Sequence, residues 1–320
     1  MTGLASYLCF FATVALTYGV AVLGLNLQWG AAGLFNVGVA GFAAVGAYVA
    51  AWITAAPAPA HWGGFALPIA LGWAGAMLAA AFAAAIVGAA TLRLRADYLA
   101  ITTFGAAVTL QLVALNATAL TGGPFGIAFI PKPFESLADR PLAFGAANLA
   151  LVAAVTAIIF VALERLTQSP WGRVLRALRE DEAAAASLGK APDRFRLQAF
   201  VIGAALMGLA GAMQAQFFGF IAPDNYLPVL TFQVWVMLVL GGSGNNRGAL
   251  LGAVVVWGLW TLSGTLLAAM LPGAWQARGA ALRLVAIGAV LAGVLLARPR
   301  GLIGERATVS RHVVHTGEQA

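Results

Sequence analysis

LASYLCFFATVALTYGVAVLGL, from Leu4 to Leu25, opens a stretch in which no Asp, Glu, Lys or Arg occurs between Met1 and Leu92. Crossing the roughly 30 Å hydrocarbon core of a bilayer takes about 20 apolar residues of helix, and this run meets that length. Across all 320 residues, 62% are hydrophobic and 9% charged, where a soluble domain carries roughly 25% charged residues. A chain with so few charges cannot build a water-soluble surface. The N-terminus lacks the positive residues that open a secretory signal and the apolar run continues too far for one, so the run reads as a retained span.

Working outward on the same ruler, nine runs qualify: Leu4 to Leu25, Ala31 to Thr54, Phe65 to Thr91, Tyr98 to Ala119, Leu142 to Leu163, Leu197 to Phe220, Leu227 to Leu240, Ala249 to Leu271 and Ala280 to Ala297. They are continuously apolar and Ala/Leu-rich, without the alternation of a barrel strand. The expected fold is therefore an all-α, polytopic transmembrane helical bundle of about nine spans, with eight to ten possible. The second run, rich in Gly with Asn36 inside it, is a candidate broken helix. The seventh is too short to span as drawn and starts near Pro228, so it borrows from its flanks or is partly re-entrant. Residues 1–300 form the transmembrane domain, and 301–320 a polar tail.

Lys and Arg concentrate in cytoplasmic loops. The segment from Arg165 to Arg196 holds seven of them, and placing it inside puts 14 of the 18 basic residues on that side. The net charge of +7 thus needs no nucleic acid. Cys9 stands alone, and His61, His312 and His315 are too scattered for a metal centre. No P-loop is present: Gly241-Gly242-Ser243-Gly244 lacks the Lys and hydroxyl that hold phosphate and magnesium, and reads as a tight turn. No cofactor is expected.

Ionisable groups inside a membrane mark ion pathways or proton relays. Here Asp97, Asp224 and Arg283 lie near span ends, which weakens ion-coupled transport and intramembrane hydrolysis alike. Neutral polar residues do occur in the spans, among them Asn26, Gln28, Thr102, Thr103, Gln216 and Gln233. Each must find a hydrogen-bond partner or water. Interhelical bonding is the plain reading; the functional one is a path for a small, mostly apolar solute, with Asn36, Gln111, Asn116 and Gln214 as candidates. Ala204, Gly208, Gly211 and Ala215 recur on one helix face and indicate close packing.

Between the fifth and sixth spans, Ser169-Pro170 is a helix start. Trp171, Val174, Leu175 and Leu178 share one apolar face, and Gly189 with Pro192 ends the helix. Such a helix either lies at the lipid interface or docks a soluble partner.

Four stretches together are recognisable: GLNLQWGAAGLFNVGVAGFAAVGAY from Gly24, LRLRADYLAITTFG from Leu92 through VALNATALTGGPFGI, SPWGRVLRALREDEAAAASLGKAPDRFRLQAFVIGAALMGLAGAM from Ser169, and VLGGSGNNRGALLGA from Val239. Over nearly its whole length the chain resembles the permease subunits of bacterial ABC importers for branched-chain amino acids, the LivM type. The resemblance implies a cytoplasmic coupling loop at about 165–196, docking into a cleft on the ATP-binding subunit through Arg176, Arg179, Glu180, Asp181, Glu182 and Gly189. It also implies a second permease subunit, two ATP-binding subunits, a periplasmic-type solute-binding protein that docks near Thr121 to Pro124, and an inner-membrane location. Val39, Val108 and Gln111 stand where relatives often carry His, Glu and Arg, so urea, short amides or another small solute is the alternative cargo. From another class, a stand-alone carrier or channel would work without partners.

Overall fold

The computed structural model describes residues 2–58, 62–92, 96–270 and 300–305, with isolated positions between 285 and 297. His61, Arg93, Arg95, the tail beyond 305 and all but isolated positions of the ninth expected span lie outside the described residues. The elements run α1 (Thr2–Asn26), α2 (Val39–Thr54), α3 (Ile69–Thr91), α4 (Ala96–Asn116), α5 (Thr118–Thr121), β1 (Ile127–Ala128), α6 (Pro141–Gln168), α7 (Pro170–Glu180), α8 (Glu182–Ser187), α9 (Pro192–Phe218), β2 (Phe220–Ile221), α10 (Pro228–Gly241) and α11 (Asn246–Met270). Among the described residues, six helices are long and apolar enough to cross a membrane. The fold is all-α and polytopic.

Two apolar runs give short helices. The second run is broken: a π-helical turn, Leu27–Ala31, follows α1, residues 33–38 carry no helix, and α2 begins only at Val39 with 16 residues. The seventh becomes the 14-residue α10, about 21 Å long at 1.5 Å per residue. It runs beside α2, with Thr231 level with Ala40 and Trp235 level with Asn36.

Helix α9 is the central post, packed against α1, α2 and α3. Small residues make this possible, because in lipid helices associate by close packing rather than by hydrophobic exclusion from water. Gly72, Ala76, Ala80, Ala84 and Gly88 form the buried stripe of α3, while Leu78, Phe82 and Ile86 face outward. Gly24 of α1 and Gly203 of α9 meet so closely that a Cβ on Gly24 would lie 2.5 Å from the Gly203 carbonyl oxygen. The stripe Ala204, Gly208, Gly211 and Ala215 is buried, as its spacing suggested.

The two ends differ. One carries the Arg-rich α7–α8 segment, the 241–244 turn and residues 300–305. The other carries the antiparallel pair β1–β2, with Ile127 opposite Ile221, and glycines at positive φ in the turn Gly122, Gly123 and Gly126.

Candidate functional site

Irregular backbone inside a membrane protein persists only where other groups satisfy it, and the break between α1 and α2 shows how this is done. Asn36 folds its carboxamide back, its Oδ1 accepting from the Gly38 N–H at 2.7 Å. Its Nδ2 donates to Gln28 Oε1 at 2.8 Å, and Gln28 donates to the Phe200 carbonyl at 2.7 Å. The Val37 N–H donates to Thr103 Oγ1 at 3.0 Å, and the Ala40 N–H to Thr231 Oγ1 at 3.0 Å. Trp235 Nε1 donates to the Asn36 carbonyl at 2.9 Å. The side chains of Thr103 in α4 and of Thr231 and Trp235 in α10, with the Phe200 carbonyl of α9, thus converge on the break and the turns that flank it. Gln28 and Asn36 are fully buried.

A second polar cluster closes the Arg-rich end. Asn26 donates to Asn246 Oδ1 at 2.9 Å and accepts from the Gly244 N–H at 2.8 Å. Asn246 in turn donates to Glu164 Oε2 at 3.0 Å. These residues line a cleft together with Arg176, Arg247 and Glu305. Asn245 caps α11, its Oδ1 accepting from Arg247 N–H at 3.0 Å. Residues 300–305 form a strap over the end of α10: Leu302 N–H donates to Leu240 O, and Ile303 N–H to Gly241 O, both at 2.9 Å.

The α7–α8 segment departs from its sequence reading in three ways. It is two helices rather than one, split at Asp181, whose extended backbone (φ −149, ψ 103) and side chain accepting from the Ala184 N–H at 2.9 Å start α8. Asp is a strong N-cap because its oxygen satisfies a free helix-start N–H. Ser169 precedes α7, yet its hydroxyl turns back to the Leu166 carbonyl at 2.7 Å. Finally, the apolar face of α7 covers this chain's own core: Leu175 and Leu178 are 0% and 2% exposed, and Trp171 packs partly against the same cluster.

Several charges of the segment are engaged within the chain. Arg176 donates to the Thr167 carbonyl at 3.0 Å. Arg179 donates to the Gly30 carbonyl and pairs with Glu305 at 3.0 Å, and Glu182 pairs with Arg196 at 2.9 Å. Glu180 is exposed. Gly189, at φ +77, has open space around it. What faces outward is α8 and its end, where Leu188 is 79% exposed.

The four candidate path residues do not converge. Asn36 sits in the break. Gln111 of α4 is buried, Asn116 is exposed and donates to its own helix at Leu112 O, 2.8 Å, and Gln214 lies beside Tyr18 in an apolar pocket between α1, α2, α9 and α10. The free volume there is about 20 Å³, room for about one water. Sequence reading did not single out Thr231, Trp235, Asn246, Glu164 or Glu305; their only local signal is a polar or aromatic residue at a helix end or within an apolar run.

A family described as branched-chain amino acid transport system / permease component matches residues 7–300. The chain belongs to this family. Against the high-affinity branched-chain amino acid transport system permease protein LivM of Escherichia coli strain K12 it is 36% identical over 266 residues, covering 77% of this chain and 61% of the relative. Against the permease LivH of the same strain it is 28% identical over 260 residues, covering 76% and 80%. It is also 32% identical over 196 residues to the autoinducer 2 import system permease protein LsrC of Enterobacter sp. strain 638, covering 59% and 54%. The chain spans about three-fifths of the length of the LivM relatives. No solved structure matches it. In this family member the four recognisable stretches carry the helix break, α4 and the turn after it, the α7–α9 segment, and the turn between α10 and α11.

Proposed function

We propose that this permease-family chain is the translocation subunit of an ATP-binding-cassette importer in the bacterial inner membrane. Its cargo is branched-chain or other hydrophobic amino acids, delivered by an extracytoplasmic solute-binding protein. It pairs with a second permease subunit and two ATP-binding subunits, which hydrolyse the ATP. The observation that carries this reading is α8: a short helix held at the Arg-rich end by the Asp181 cap and the Glu182–Arg196 pair, with Leu188 exposed beyond it. An exposed apolar tip on a fixed base suits insertion into a partner's groove. On this reading Asp181, Glu182 and Gly189 shape and present α8, and Arg176, which donates to the Thr167 carbonyl, anchors α7 to the end of α6. Residues 165–196 act as the coupling segment, 1–300 as the permease domain, and the turn at Thr121 to Pro124 as an outward docking site for the binding protein.

Two further features support the reading. Among the described residues, no Asp, Glu, Lys or Arg side chain is buried, so no buried carboxylate is there to relay protons. The pocket beside Tyr18 and Gln214 has room for about one water, so at that place the described residues of this chain form no closed chamber for an amino acid, in keeping with a path shared with a second permease. The test is reconstitution in liposomes. Uptake of leucine should require the second permease, the ATPases, the binding protein and internal ATP. Gradient-driven uptake by this chain alone would refute the proposal.

A further inference from the structure

We propose that Arg179 is a positioning residue that carries movement of the α7–α8 segment into the helix break, acting within this chain rather than on an ATPase. The inference rests on the importer reading above and deepens it. Arg179 is the last basic residue of α7, and its guanidinium points into the protein. Nη1 donates to the carbonyl of Gly30, in the π-helical turn that leads into the break. Nη2 donates to both oxygens of Glu305, at 3.1 and 3.0 Å. The side-chain stem lies over Gly33, where a Cβ would come within 3.0 Å of Arg179 Cγ. Gly33 also holds φ at +69, a conformation that suits glycine.

Each of these contacts leads to the same place. From Gly30 the chain runs directly into the unwound segment, whose Leu34 N–H donates to Gln28 O at 2.8 Å. From Glu305 the strap runs back to the end of α10 through the Leu302 and Ile303 hydrogen bonds. Helix α10 supplies Thr231 and Trp235, which hold Ala40 and Asn36. Arg179 therefore joins the segment that receives a partner's motion to the turn that leads into the break and to α10, one of the helices that hold it. The planar guanidinium is the group for this joint, since its fixed fork serves a carbonyl and a carboxylate at once, where a lysine ammonium acts as a point charge. Side-chain exposures of 24% for Arg179 and 37% for Glu305 make the ion pair weak and reversible, which a moving joint requires.

The experiment uses the full complex, with ATPases, second permease and binding protein, in vesicles. It measures co-purification of the ATPases, ATP hydrolysis, and leucine taken up per ATP hydrolysed. Arg179→Met keeps the stem over Gly33 and removes the donors. It should retain the ATPases and hydrolysis while uptake per ATP falls at least about fivefold, the low end for coupling between sites. Glu305→Gln weakens one arm and should give a smaller fall, up to about fivefold, as an exposed ion pair allows. Arg179→Lys should fall between wild type and Arg179→Met. Exchanging the charges, Arg179→Glu with Glu305→Arg, restores an ion pair but no donor to Gly30, and should stay as defective as Arg179→Met. Loss of the ATPases from the Arg179→Met complex would make Arg179 a docking residue and overturn the proposal. Unchanged uptake per ATP in Arg179→Met, or full recovery by charge exchange, would overturn it as well. If Arg179→Met does not insert, unchanged uptake per ATP in Glu305→Gln overturns it instead. Failure of the wild-type complex to import with ATP would sink the importer reading itself.

Discussion

Replacing Asn36 by Ala separates a structural lock from a solute contact. The substitution deletes the bonds to the Gly38 N–H and Gln28 Oε1, at 2.7 and 2.8 Å, in a site where both Asn36 and Gln28 are fully buried. An orphaned buried polar group costs about 1–3 kcal/mol, so two give about 2–6 kcal/mol. Hydrogen bonds between membrane helices measured by double-mutant cycles average about 0.6 kcal/mol, which sets a floor near 1 kcal/mol for the pair. The assay is unfolding in mixed micelles by SDS titration, followed by tryptophan fluorescence, because Trp235 bonds the Asn36 carbonyl. The expected loss is at least about 1 kcal/mol. Asn116→Ala removes only a bond within its own exposed helix turn and should stay within about 0.5 kcal/mol of wild type. A loss below about 0.5 kcal/mol for Asn36→Ala, with altered solute preference, would refute the lock and make Asn36 a path residue.

Further outcomes follow from packing. Gly24→Ala drives a methyl to within 2.5 Å of the Gly203 carbonyl, and the overpacking cost of about 1–3 kcal/mol should exceed the roughly 1 kcal/mol helix-propensity gain. Gly105→Ala on α4 meets nothing within 4 Å and should match or exceed wild-type stability; thermal unfolding of the two variants in detergent compares them. Leu178→Ala should destabilise the isolated chain by about 2–5 kcal/mol, since its side chain is buried in this chain; a change confined to partner binding would contradict that burial. Leu188→Ser, at an exposed position, should leave unfolding unchanged within about 0.5 kcal/mol while reducing co-purification of the ATPases.

Much of the bundle was legible from composition and run length. Lipid as the solvent follows from the absence of charge before Arg93, and span positions from the length of each apolar run, both local properties of the chain. The broken second run was legible too, because its glycines and Asn36 disfavour a continuous helix. The split of α7 from α8 was less so. Good helix formers stand on both sides of Asp181, Arg and Leu before it and an alanine run after it, and only the Asp181 cap to Ala184 decides where one helix stops and the next begins.

Which polar residues serve the fold could not be read from sequence, because their partners are distant in it. Asn26 meets Asn246, 220 positions away, and Arg179 meets Glu305, 126 positions away. The amphipathic pattern of α7 specified an apolar face without saying what covers it; the tertiary structure turns Leu175 and Leu178 onto the chain's own core and leaves Leu188 outside. By itself the sequence determined the solvent, the helical class and the inter-span segment in which charge gathers, since these depend on composition and short-range periodicity. The lock at Asn36, the inward turn of Arg179 and the strap at Glu305 belong to the tertiary structure, because a hydrogen bond forms between whichever groups packing brings within about 3 Å.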